Sequence, residues 1–278
     1  ECRVSQELGI DVEFNDVKTI AVISAANMGH GIALTLGLAG YQVHLNSNTE
    51  LSLQRGMDFI EADLDRLMAL EMEEPACAQA ALTKISTTTF LEEASRDSDV
   101  VYENLDLKQQ IFRDLDAFCP DRTILASSTS TIILSRFAEV TRRPDRVLVA
   151  HYTGPSYLSP LVEVVCTEQT SDETVGIVFQ VLTKVGKKPV KVPKEVPGFI
   201  AIRLEVALMR EALSMAQRGI ASPEDIDTVL KTGHPRKWVA AGIFERVEVG
   251  IGWDLILAGV QRVLPDIDSS MDVMKTIQ

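Results

Sequence analysis

Between Lys18 and Leu45 the chain reads KTIAVISAANMGHGIALTLGLAGYQVHL, and the fold follows from how that stretch divides. Lys18–Ile23 is a short apolar run rich in β-branched residues, which predicts a strand. Ser24 to Gly29 is a turn of small residues, and His30 to Leu38 has the composition of a buried helix. After Gly40, Tyr41–Leu45 reads as a second strand. Strand, tight turn, helix and strand in this order open a doubly wound parallel sheet. At such a turn the expected pattern is G-x-G-x-x-G, whereas Ser24, Ala26 and Gly29 make it S-x-A-x-x-G. The first glycine permits the tight turn, the second lets a pyrophosphate approach the backbone, and the third allows close helix–strand packing. Only the third is present.

From Thr19 to Thr49 there is no Asp, Glu, Lys or Arg. Asn, Gln, His, Ser and Thr side chains and interior glycines argue against a membrane span, and a buried β-α-β unit explains the stretch better. Beyond it the pattern keeps alternating. Glu50–Leu70 has helical apolar spacing at Leu51, Met57, Ile60, Leu64 and Leu67, with an acidic outer face expected from Glu61, Asp63, Asp65, Glu71, Glu73 and Glu74. A short helix after Pro75, an edge strand at Lys84–Thr89, a very short strand at Val100–Tyr102 and an amphipathic helix at Asp106–Phe118 follow. Further strands are expected at Thr123–Ala126, Arg146–His151, Leu161–Val165 and Pro189–Val192, with helices at Ile132–Val140 and Asp172–Val185.

Pro193–Pro197 (PKEVP) is a short proline-rich hinge. After it the pattern is helical only: Phe199–Arg218, Ser222–Lys231 and an apolar run from Trp238 to about Val263. Strands alternating with helices, then helices alone, predict an α/β domain over 1–193, a Rossmann-like doubly wound parallel sheet, and a smaller all-α domain over 194–278.

With 278 residues and 46% apolar content there is enough chain for a packed core. A formal net charge of −13 makes nucleic acid and anionic membrane surfaces poor partners. Cys2, Cys77, Cys119 and Cys166 are widely spaced, so neither a disulfide framework nor a metal centre is expected. That usage, and the acidic start ECRVSQELGIDVEFND, fit a cytoplasmic setting.

Several segments, taken in order, resemble the 3-hydroxyacyl-CoA dehydrogenase family: ANMGHGIALTLGLAGYQV, ENLDLKQQIFRDLD, TILASSTSTI, HYTGPSYLSPLVEVV and VPGFIAIRLEVALMREALSMAQRGIASPEDID. The resemblance runs from Lys18 to about Ala258 and includes smaller relatives acting on free 3-hydroxy acids, and lambda-crystallin. It implies a dinucleotide-binding domain, a helical domain that usually forms a homodimer, and a small-molecule substrate in the cleft between them. It also implies that His151 transfers a proton, that Glu163, twelve positions later, orients it, and that Ser130 hydrogen-bonds the substrate oxygen. Carboxylate support of one ring nitrogen is the arrangement that general-base chemistry on a hydroxyl needs. Asn27, Met28, Gly29, Ser47 and Lys108 fall where the family holds NAD or NADP.

Four departures lie in the same region. Ser24 and Ala26 replace glycines, and Ser47 stands where an acid would grip the ribose. The turn in VVYENLDLK is about four residues shorter than the family's, and Ile202 replaces an asparagine that polarises the substrate carbonyl. The Thr49–Thr83 segment has Arg55 and Arg66 but no Lys, which suits a free acid better than a CoA ester. Three readings follow: a dehydrogenase of a small 3-hydroxy or 3-keto acid; a non-redox enzyme (proton transfer, elimination, cyclisation or hydrolysis) with the same acid–base pair; and a non-catalytic crystallin-like protein.

Overall fold

The computed structural model of the chain describes residues 17–26, 28–103, 108–267 and 269. It divides into two compact units, Glu1–Ile200 and Ala201–Gln278.

In the first unit β1 (Thr19–Ile23) enters the turn, α1 (Gly29–Leu38) leaves it, and β2 (Gln42–Asn46) returns parallel to β1. Then come α2 (Glu50–Ala69), α3 (Pro75–Lys84), β3 (Ile85–Thr88), α4 (Leu91–Ser95), β4 (Val100–Glu103) and α5 (Lys108–Phe118). The unit is completed by β5 (Ile124–Ser127), α6 (Ser135–Ala138), β6 (Val147–Tyr152), β7 (Leu161–Val165), α7 (Asp172–Lys184) and β8 (Lys188–Val192). All eight strands form one sheet in the order β3-β2-β1-β4-β5-β6-β7-β8. The order reverses between β1 and β4, so the crevice of this fold opens beyond the carboxyl ends of those two strands. The Ser24–Gly29 turn lies there.

The sheet is covered on both faces. Ile20, Val22, Leu45, Leu148 and Val164 pack with α1, α2 and α7 on one side. Ala21, Ile23, Leu125, Val149 and Val165 pack with Phe112, Leu115 and Phe137 on the other. Strands buried on both faces read as continuous apolar runs, which is why they stand out in the sequence. Local chemistry sets the helix starts: the hydroxyls of Thr49, Ser171 and Ser222 accept from Ser52, Thr174 and Asp225 N–H.

Several details differ from the expectations above. The β6–β7 pair is antiparallel, placing His151 opposite Glu163 and reversing β7 and β8 relative to the other strands. The helix expected at Ile132–Val140 is a single turn, Ser135–Ala138, and α4 is an element the sequence pattern does not announce. On α2, Leu51 is exposed and Leu53 packs inward in its place. Asp63, expected in the acidic outer face, is buried because it receives His30 from α1 and Arg66 from its own helix.

The second unit contains α8 (Ala201–Gln217), α9 (Pro223–Thr232), α10 (Pro235–Trp238), α11 (Ile243–Arg246), a π-helical turn at Val247–Ile251 and α12 (Trp253–Val263). A further difference lies here: the run from Trp238 to Val263 is broken. Gly252, at φ +78°, takes a conformation that ends the π turn before α12. Arg218 at the end of α8 donates to both carboxylate oxygens of Asp266 at 2.9 Å and ties the unit's two ends together. Among the described residues no helix is long and apolar enough to cross a membrane. No cluster of three or more His, Cys, Asp or Glu side chains among them is arranged to hold a metal ion.

Candidate active site

His151 and Tyr152 end β6, and their side chains alternate between the two faces of the sheet. Tyr152 joins the core beside Tyr102, at 5.7 Å edge to face, and burial raises its phenol well above the usual range. His151 points to the opposite face with Val147 and Val149. The antiparallel register sets Glu163 directly across from it on that same face. His151 Nδ1 and Glu163 Oε2 lie 2.8 Å apart, and both side chains are almost fully buried. A carboxylate only accepts, so Nδ1 carries the proton and Nε2 is left with the lone pair.

The second carboxylate oxygen is also engaged. Ile200 N–H donates to Glu163 Oε1 at 2.8 Å. Ile200 reaches it through Val196-Pro197-Gly198-Phe199, where Phe199 N–H returns to Val196 O at 3.1 Å. With proline second, and glycine third at φ +76°, this is a type II turn. Phe199 follows at φ +46°, a left-handed conformation that costs a side-chain-bearing residue about 1–2 kcal/mol. Its buried ring sits 5.4 Å from the His151 ring at 57°. Sequence reasoning does not single out Phe199; the Pro-Gly pair before it is the available signal.

The Ser127–Ser130 turn leaves β5, next to β6 in the sheet. Ser127 Oγ accepts from Thr129 N–H at 3.3 Å, and Thr129 Oγ1 accepts from Ile132 N–H at 3.1 Å. These two hydroxyls hold the turn itself and do not cap α6, whose N-cap Leu134 has no side-chain bond. Ser130 is half-buried, and Ser128 is buried with its Oγ unpartnered among the described residues.

At the crevice turn, Ser24 has φ +96°. Its backbone holds the conformation that the first glycine of a fingerprint supplies, at a cost of roughly 1–3 kcal/mol for a serine. Its N–H donates to Asn46 O at 2.9 Å and its Oγ takes Ala26 N–H at 3.4 Å. Gly29 admits no replacement, since a Cβ there would lie 1.6 Å from Ser24 O. Gly56 of α2 is constrained less severely, a Cβ falling 2.7 Å from that of Ala25. His30 clamps the turn from its other side, with Nδ1 3.2 Å from Ala26 O and Nε2 3.2 Å from Asp63 Oδ2. Met28 is half-buried, and its carbonyl accepts from Ile32 N–H and from the Ser156 hydroxyl.

For a nicotinamide dinucleotide the backbone fits: turn, helix and reversal of strand order are all in place. The side chains supply less. The exposed Ala26 methyl and its engaged N–H stand where the backbone should be open, and Ser47 offers a hydroxyl in place of a carboxylate. Asn27, the Lys108 side chain and residues 104–107 of the VVYENLDLK segment lie outside the described residues. Ile202 is a half-buried aliphatic residue in the first turn of α8.

Comparison with known proteins places both units. Residues 19–196 match the model of the 3-hydroxyacyl-CoA dehydrogenase NAD binding domain, and residues 198–275 match that of the 3-hydroxyacyl-CoA dehydrogenase C-terminal domain. The chain is 33% identical to a 3-hydroxybutyryl-CoA dehydrogenase of Clostridioides difficile over 245 residues, covering 86% of this chain and 84% of that one. It is 30% identical to the 5-formyl-3-hydroxy-2-methylpyridine 4-carboxylate 5-dehydrogenase of Mesorhizobium japonicum, covering 92% of this chain and 83% of that one. Among solved structures, a 5-formyl-3-hydroxy-2-methylpyridine 4-carboxylic acid 5-dehydrogenase described as an NAD+ dependent dismutase superposes with a TM-score of 0.83 at 28% identity. That superposition covers 91% of this chain and 82% of that structure.

Proposed function

The chain belongs to the 3-hydroxyacyl-CoA dehydrogenase family, and on that premise we propose that it is an NAD- or NADP-dependent oxidoreductase of a small 3-hydroxy or 3-keto acid. The observation that carries this reading is the buried 2.8 Å contact between His151 Nδ1 and Glu163 Oε2. It fixes the tautomer with Nε2 as the basic nitrogen, and it stabilises the imidazolium formed when Nε2 takes a proton. In the oxidative direction Nε2 removes the proton of the substrate's 3-hydroxyl; in the reductive direction it returns one to the 3-oxygen. Ser130 hydrogen-bonds that oxygen. Met28 and Gly29, with Asn27, Ser47 and Lys108, hold the dinucleotide, which supplies the hydride chemistry when bound.

A free acid fits better than a CoA ester. The outer face of α2 and the residues after it expose Glu61, Asp65, Glu71 and Glu74, which repel a nucleotide phosphate. The oxidoreductase works as a homodimer, in keeping with the exposed Val239, Phe244 and Leu264 of the helical unit.

A second reading is favoured by one observation. Ser24 Oγ already holds Ala26 N–H, and the Ala26 methyl projects at the same point. An enzyme that had given up the dinucleotide would keep His151 and Glu163 for proton transfer without redox. Turnover of short 3-hydroxy acids, followed through nicotinamide absorbance, separates the two. The oxidoreductase reading expects turnover that falls by roughly 10²–10⁴-fold in His151→Gln, with dinucleotide affinity unchanged. Undiminished turnover in His151→Gln would remove His151 from the chemistry.

A further inference from the structure

We propose that Phe199 is a positioning residue for His151, its ring fixing the imidazole while its left-handed backbone delivers the Ile200 amide to Glu163. This rests on the reading of His151 as the proton-transfer residue. A carboxylate bound only to the imidazole could still rotate about its last torsion and let the ring tilt. Glu163 has no such freedom, because Oε2 meets His151 Nδ1 and Oε1 takes Ile200 N–H, both at 2.8 Å. The amide arrives there because the chain turns back through Gly198 at φ +76° and Phe199 at φ +46°.

Glycine would adopt the second of these conformations without cost. The presence of a phenylalanine at a glycine-like position means that its side chain contributes something a glycine could not. That contribution is visible: the ring is 1% exposed and lies 5.4 Å from the imidazole at an interplanar angle of 57°. His151 is thus held at its Nδ1 edge by a carboxylate and against its ring by an aromatic side chain. The segment carrying Phe199 is itself anchored, since Ser135 N–H donates to the Glu195 carboxylate at 2.9 Å. Residues 195 to 200 are pinned to the sheet unit at both ends, with Phe199 between the pins. A residue that only filled the core would need neither the left-handed backbone nor the ring contact.

The readout that separates positioning from plain packing is the proton on His151 Nδ1, compared with a core truncation that does not touch the imidazole, Phe112→Leu, which should leave its exchange at the wild-type rate. In protein labelled with ¹⁵N-histidine it should give a resolved signal in slow exchange with water, assigned by its loss in His151→Gln. Phe199→Gly keeps the backbone conformation and the Ile200 amide while removing the ring, so exchange of that proton should accelerate roughly tenfold or more. Phe199→Leu keeps apolar volume but loses the aromatic face, and serves if the glycine variant does not fold; it too should exchange several-fold faster. An Nδ1 proton that exchanges at the wild-type rate in the folded variant would overturn the proposal, as would the absence of a slowly exchanging signal in the wild type. Because the signal needs no substrate, failure here is distinct from failure to find turnover.

Discussion

Ser24 occupies a backbone conformation that favours glycine, and it shows how a fingerprint can change its letters while keeping its shape. At φ +96° the serine bears strain of roughly 1–3 kcal/mol, offset in part by its long bond to Ala26 N–H. Ser24→Gly removes that strain and adds the entropy cost of a more flexible unfolded chain, about 0.4–1 kcal/mol. Chemical denaturation should therefore find the variant as stable as the wild type or more so, by up to about 1 kcal/mol. Combined with Ala26→Gly, the same change opens the amide and the backbone to a phosphate. Dinucleotide affinity should rise about tenfold, the worth of one recovered hydrogen bond, as measured by calorimetry. Gly29 is the opposite case. Its Cβ would lie 1.6 Å from Ser24 O, so Gly29→Ala should lose about 3 kcal/mol of stability, or fail to fold. In the sequence Ser24 and Ala26 look like two lost glycines; φ separates them, because only Ser24 needs a glycine-like backbone.

At the level of elements, most of the sheet is legible because strands buried on both faces leave unbroken apolar runs flanked by turns. The direction of β7 is not. A strand packed on both sides reads the same in either orientation, so Glu163 can be matched to His151 by spacing but not placed across from it. Asp63 misleads for a related reason: its neighbours Glu61 and Asp65 are exposed, and nothing local reveals that α1 brings His30 to it. The helix after Ser130 is shorter than its pattern suggests because Ser127 and Thr129 use their side chains on the turn itself. Asp116 on α5 shows the same kind of long-range partner. Although burial opposes its charge, Arg142 and Arg143 overcome that and hold its carboxyl below the usual range, with contacts at 2.9 Å. A depressed folded-state pKa contributes stability above the unfolded value, about 3.9, and that contribution is lost as pH falls through the folded one. Asp116→Asn should thus cost about 2–4 kcal/mol near neutral pH. The gap to the wild type in urea titrations should close below about pH 4; a gap independent of pH would mean the two arginines do not act through charge.

Across the whole molecule, the sheet unit and the helical unit each match their counterpart in the 3-hydroxyacyl-CoA dehydrogenase family. Order and composition announce that division, since strands cease after Val192 and only helices follow. Less visible is the state of the Ser24–Ala26 turn, because a φ angle and an engaged amide leave no mark in the sequence. The proposed homodimer is checked by sedimentation velocity, which should show a species of twice the chain mass that persists on dilution through the micromolar range. The proposed oxidoreductase depends most on whether the Ser24–Gly29 turn still holds its ligand. Calorimetric titration with NADH and NADPH tests this directly. The turn keeps its backbone but lacks the open amide at Ala26 and the acid at Ser47, so one of the two should bind with a dissociation constant of roughly 10–500 μM. No heat of binding with either at millimolar concentration would contradict the oxidoreductase and leave His151 and Glu163 to proton transfer alone.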